Sequence, residues 1–123
     1  MAIIKAYTDI SQSKKLAKIL PIESADMWYH GFFNPNRMST IEYNPPAPYH
    51  SVTSKWDCPC WSLGALLSVL PLPDLVQDKA DNELFWQCSV YDEDGTQLCV
   101  TYDNNPIDAC VEMIEELHEL KML

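Results

Sequence analysis

The longest uncharged stretch of the chain lies between Asp57 and Asp74, and it is patterned as a helix. Leu63, Leu66, Leu67 and Leu70 recur at i, i+3, i+4 and i+7, the spacing of one helical face. The opposite side carries Gly64, Ala65, Ser68 and Val69, all small or apolar, so the helix is expected to be buried nearly all round. Asp57 or Cys58 is suited to cap its start and Pro59 to fill its first position, where a missing N–H costs nothing. Pro71 ends it. The pattern therefore predicts a buried central helix over residues 59–70.

Two amphipathic helices flank this run. Asp9 starts the first, with Gln12 three residues on as reciprocal cap. Ser13, Leu16, Ala17 and Leu20 form its inner face, Lys14, Lys15 and Lys18 its outer stripe, and Pro21 terminates it. That stripe reads as a solvated face rather than an anion site. Asn104 or Asn105 caps the last helix, with Pro106 as its first residue. Ile107, Cys110, Val111, Ile114 and Leu117 form the stripe that buries it, and Asp108, Glu112, Glu115, Glu116 and Glu119 its outer face.

Between the helices the period drops toward two. Ala25 to Phe33 is aromatic, Asn34-Pro35-Asn36-Arg37 is a turn, and Met38 to Tyr43 returns as a second strand. Asn44 to Asp57 is a loop stiffened by Pro45, Pro46 and Pro48, and Leu72 to Glu83 is an acidic loop. Leu84 to Tyr91 is a strand, Asp92-Glu93-Asp94-Gly95 turns it, and Gln97 to Tyr102 pairs with it. Alternation puts Trp86, Cys88 and Val90 on one face, with Leu98 and Val100 expected across from them. The order α-ββ-α-ββ-α predicts a single α+β domain over residues 1–123. Its antiparallel sheet of about four strands comes from two hairpins, with three helices covering it.

Charge narrows the partners. The chain carries −10. Residues 1–55 hold six basic and four acidic residues, net +2, whereas residues 56–123 hold two basic and fourteen acidic, net −12. Such a surface disfavours direct binding to nucleic-acid phosphates but suits a basic protein partner, besides serving solubility. The five cysteines are an odd number, and Cys88, Cys99 and Cys110 sit in apolar patterns, which argues for a reduced compartment. The N-terminal residues show no signal-peptide core and no run is long enough to span a bilayer, so the cytoplasm is the expected location.

Candidate chemistry is sparse. Cys58 and Cys60, at the start of the expected central helix, would have thiols acidified by its dipole. With His50 they are weak metal candidates, since a structural zinc site needs four ligands in recognisable pairs. The plainer reading is a capping turn with two half-buried cysteines. Asp92-Glu93-Asp94-Gly95 lacks the remaining ligand positions of a calcium loop. His30, His50 and His118 are scattered, and three glycines cannot build a phosphate-cradling loop. No catalytic residue and no cofactor is assigned.

The aromatics are more informative. Nine of thirteen precede Ser62, and the adjacent pairs Trp28-Tyr29 and Phe32-Phe33 point to both faces of a strand. Rings left outside the core mark an interface.

The segments Thr8-Asp9-Ile10, Ser13-Lys14-Lys15-Leu16-Ala17, Ser24-Ala25-Asp26-Met27-Trp28, Pro59-Cys60-Trp61-Ser62-Leu63 and Asn105-Pro106-Ile107-Asp108-Ala109-Cys110 are spread over most of the chain. In them the sequence resembles small proteins encoded in phages and mobile elements of gut bacteria. That resemblance carries no known activity and implies only an accessory protein that acts by binding.

Three expectations follow. The first is a non-enzymatic binding protein that makes protein–protein contacts, self-association included, through Trp28, Tyr29, Phe32 and Phe33. The second is an acidic inhibitor, mimicking nucleic acid or plugging a basic toxin with Glu112 and Glu116. The third is a metal- or thiol-dependent protein using Cys58 and Cys60.

Overall fold

The computed structural model describes residues 5–36 and 47–123. Among these residues, three α-helices and two antiparallel sheets make up a mixed α+β fold, as the pattern predicts. The order is α1 (Ile10–Leu16), β1 (Met27–Tyr29), β2 (Cys58–Cys60), α2 (Leu63–Val69), β3 (Asp74–Ala80), β4 (Glu83–Tyr91), β5 (Gln97–Asp103) and α3 (Pro106–Glu119). A short 3-10 turn, Ile22–Ser24, follows α1.

Local chemistry sets the helix starts. At α1 the Gln12 N–H donates to Asp9 Oδ1 at 2.8 Å, and the Asp9 N–H donates to Gln12 Oε1 at 3.1 Å. This is the reciprocal cap read from the sequence. At α3 the Asp108 N–H donates to Asn105 Oδ1 at 2.8 Å, with Pro106 behind the cap. The α3 stripe Ile107, Cys110, Val111, Ile114 and Leu117 is buried, joined by Ala109 and Met113. It packs on β4 and β5, and α2 packs on α3. Trp61, Leu16 and Leu66 complete the centre of the core.

The central helix departs from expectation. Residues 58–60 form a strand, and α2 begins only at Leu63. Ser62 outcompetes the earlier caps: its Oγ accepts the Ala65 N–H at 3.2 Å, while the Asp26 carboxylate holds the Ser62 N–H and hydroxyl. Pro59 is tolerated in β2 because it faces Trp28, whose N–H and C=O both point the other way, to Tyr49, at 2.7 and 2.8 Å. Burial of α2 is one-sided rather than complete: Leu66 is buried, but Gly64 and Ser68 are exposed. Among the described residues no neighbouring element closes on Gly64, and Ser68 Oγ donates to the Gly64 carbonyl at 2.8 Å.

The sheets also differ from two simple hairpins. Met38 to Tyr43, the expected return strand, lies outside the described residues; β1 pairs with β2 in the register Met27↔Cys60 and Tyr29↔Cys58. The expected acidic loop contains β3, which pairs with β4 along its whole length. Asp81 and Asn82 link β3 to β4 with φ of 50° and 67°, the left-handed pair of a tight hairpin turn. Gly95, at φ 81°, turns β4 into β5 as expected. Across from Cys88 and Val90, however, lie Thr101 and Cys99, not Leu98 and Val100, because a register shift at Val90/Tyr91 moves the partners by one. No helix among the described residues is long and apolar enough to cross a membrane.

Candidate functional site

Asp57 builds the site. It is buried at 4% exposure between the turn after β1 and the loop before β2. Its carboxylate accepts the Gly31 N–H at 2.9 Å, the Thr53 N–H, the Thr53 hydroxyl at 2.9 Å and the Ser54 N–H at 3.2 Å. Burial alone would raise its pKa, but these donors outweigh burial and hold it down at about 2. Gly31, at φ 77°, supplies the left-handed residue the turn needs. The Phe33 N–H then donates to the Trp56 carbonyl at 2.7 Å. The turn bearing Phe32 and Phe33 is thus fixed by a buried charge one loop away.

That turn faces α1. Lys14, Ala17 and Lys18 form one wall and Phe32, Phe33, Asn34 and Pro35 the other wall of a concavity of about 460 Å³. Lys14 lies in the last turn of α1 and Lys18 in the turn just past its end, and both line the concavity. Among the described residues the ion pairs are those of Lys5 with Asp9 and Asp108, so neither groove lysine has a carboxylate partner there. The lysine stripe and the aromatic segment, separate in the sequence, form one basic–aromatic groove.

The four aromatic candidates divide. Phe32 and Phe33 line the groove. Tyr29 does not belong to a surface: it is buried, and its hydroxyl donates to the Thr8 carbonyl at 2.7 Å. It faces inward because its β1 position backs onto Cys58 and Cys60, in a small second core. Trp28 is partly buried against the main core. Beyond them, the His30 ring stacks on Tyr49 at 4.0 Å and 6°, and Lys55 lies over the Trp56 ring at 4.8 Å. Tyr49 is 56% exposed, so an aromatic rim continues past the groove along the loop before β2.

Cys58 and Cys60 are buried and free, as are Cys88 and Cys110. They sit in a strand, not at a helix start, so the expected acidification does not occur. Burial pushes the Cys58 thiol up to about 12, and burial likewise raises Cys60. Thr8 Oγ1 approaches Cys60 Sγ at 3.5 Å while bonding Ser13 Oγ at 2.7 Å, a buried polar knot that ties α1 to β2. His50 is exposed on the loop. Among the described residues no group of three or more His, Cys, Asp or Glu is placed to hold a metal ion.

Glu112 and Glu116 lie with Thr101, Glu115 and Glu119 around an acidic depression of about 260 Å³ on the outer face of α3. Burial and a hydrogen bond with Asp103 raise the Glu112 carboxyl to about 7. The last turn continues into Leu120 and Met122, 51% and 52% exposed. Sequence reading missed three parts of this surface: the Asp57 hub, the meeting of Lys14 and Lys18 with Phe33, and the apolar end of α3. Clustered Ser and Thr before Asp57 were the one local signal for the first; the others required the fold.

No family model matches the chain, and no curated protein or solved structure is detectably similar to it.

Proposed function

We propose that this chain is a binding protein that engages a protein partner through its basic–aromatic groove. One observation carries the reading: two lysines without carboxylate partners among the described residues face a pair of phenylalanines across a concavity of about 460 Å³. Aromatic rings beside cations are the composition of interface hot spots, and the volume accepts several side chains. The buried Asp57 pre-organises the aromatic wall, which lowers the ordering cost of binding. In this reading Phe32, Phe33, Lys14 and Lys18 make the contact, while Tyr29 supports the strand beneath. The acidic depression on α3 supports a second reading, an acidic inhibitor of a basic protein.

Photo-crosslinking in the producing cell tests both. A benzoylphenylalanine at Pro35, exposed on the groove rim, should give protein adducts; the same probe at Glu93, exposed in the β4–β5 turn, should not. Equal labelling from both positions, or none from Pro35, contradicts the groove. Adducts with a basic protein from a probe at Glu116 alone would replace it with the second reading.

A further inference from the structure

The geometry points to a second copy of this chain as the occupant of the groove, seated by the acidic, apolar end of its α3. The inference rests on the groove's being a binding surface and adds what fills it.

Charge and apolar surface match on the two patches. The groove presents Lys14, in the last turn of α1, and Lys18, just past its end, beside Phe33 and Pro35. The end of α3 presents Glu115 and Glu119 one helical turn apart, with Glu116 between them. Seated in the groove, the end of α3 would set these glutamates against its lysines. None of these charges is in ion-pair contact within one copy among the described residues. The apolar complement is present too. Leu120 and Met122 are about half exposed directly after the glutamates, and Leu123 is 38% exposed. A groove with an apolar wall needs an occupant with apolar groups beside its carboxylates, and this segment has both.

Alternative occupants fit less well. An inorganic anion would leave the phenylalanine wall unused. A nucleic-acid strand would meet a net charge of −10 around a patch of only two or three cations. The pairing also explains why α3 retains a costly surface. Glu112–Glu116 and Glu115–Glu119 are like-charge pairs at i, i+4, and the later glutamates oppose the helix dipole. Lysines from a neighbouring copy would relieve both. The contact joins two different patches. It closes as a two-fold pair if both patches engage reciprocally, and otherwise forms a ring or a chain.

Charge reversal in trans is the test. Sedimentation equilibrium on the full chain, from roughly 10 μM to 1 mM, spans the range of weak interfaces. The wild type should populate assemblies larger than one copy. Lys14→Glu with Lys18→Glu, and separately Glu116→Lys with Glu119→Lys, should each weaken association by about tenfold or more. Mixing the two double variants in equal amounts should restore it, since each supplies the charge the other needs. Leu120→Ser with Met122→Ser should weaken association without touching charge. All altered side chains are exposed or line the groove, and unchanged circular dichroism and Tm verify the fold. A wild type that stays a single copy throughout overturns the inference, as does a mixture that fails to recover. If Pro35 probes capture a different protein while the pure chain stays a single copy, the second-copy inference falls and the groove stands.

Discussion

Replacing Asp57 with asparagine isolates the charge that holds the aromatic wall. The side chain keeps its size, but one oxygen becomes an NH2 group facing the N–H donors of Gly31 or of Thr53 and Ser54. The structure sets the magnitude. Despite burial, the donors take the carboxyl from an ordinary 3.8 to about 2. Such a displacement corresponds to about 2 kcal/mol of preference for the ionised, folded form. A facing pair of donors adds part of the cost of an unsatisfied buried group, so Asp57→Asn should lose about 2–4 kcal/mol. The pH dependence carries a definite sign. The folded pKa lies below the unfolded one, so the stabilisation is complete above about pH 5 and lost as pH falls from about 4 toward 2. Urea unfolding of wild type and variant between pH 7 and pH 2 should therefore show a gap that is constant at neutral pH and narrows in acid. A gap under about 0.5 kcal/mol at pH 7, or one that does not narrow, would refute Asp57 as the charged hub. The variant should also lose Pro35 crosslinking before it loses its fold, because Gly31 is released first.

Other substitutions probe separate parts of the fold. Ile114→Ala, at a fully buried position of α3, should cost about 2–5 kcal/mol by urea unfolding, and a loss under 1 kcal/mol would mean the stripe is loosely packed. Glu112→Gln should raise Tm at pH 7.5 and leave it unchanged at pH 4. Burial and the Asp103 contact raise the Glu112 carboxyl from 4.5 to about 7, so its ionisation removes stability as pH climbs through that window. A Tm difference equal at both pH values would show that the raised carboxyl does not matter. Glu116→Lys alone should leave Tm unchanged or slightly higher, and a clear fall would reveal an internal partner for that glutamate. Cys58, buried with a thiol near 12, should resist alkylation at pH 8 until the protein unfolds; rapid labelling of Cys58 in the native state would contradict its burial.

What could be read along the chain was whatever local chemistry decides. The caps at Asp9 and Asn105, the buried stripe of α3 and the Gly95 turn each depend on residues within a few positions, and each stands where the pattern places it. The misreadings arise where tertiary context outvotes a local signal. Pro59 suits a helix start, but Ser62, held by Asp26 from before β1, captures the cap and leaves residues 58–60 to pair as a strand. β3 escaped notice because it is a sheet edge: Leu75 is its one partly buried residue, so no alternation marks it. Asp81-Asn82, suited to two left-handed residues, was the available clue. The groove was not legible at all. Lys14 and Phe33 belong to elements whose facing depends on Asp57 reaching back to Gly31, and that contact has no sequence period.

Whether the basic–aromatic groove and the acidic end of α3 are two halves of one contact is most directly tested by a dilution series followed by two-dimensional amide NMR. As the protein is concentrated, amides of Lys14 to Lys18, Gly31 to Asn34 and Glu115 to Met122 should shift together along one binding curve. Those of Asp92 to Thr96, in the β4–β5 turn, should stay fixed. Shifts confined to one of the two patches, or centred on the edge of β3, would contradict the pairing of groove and helix end.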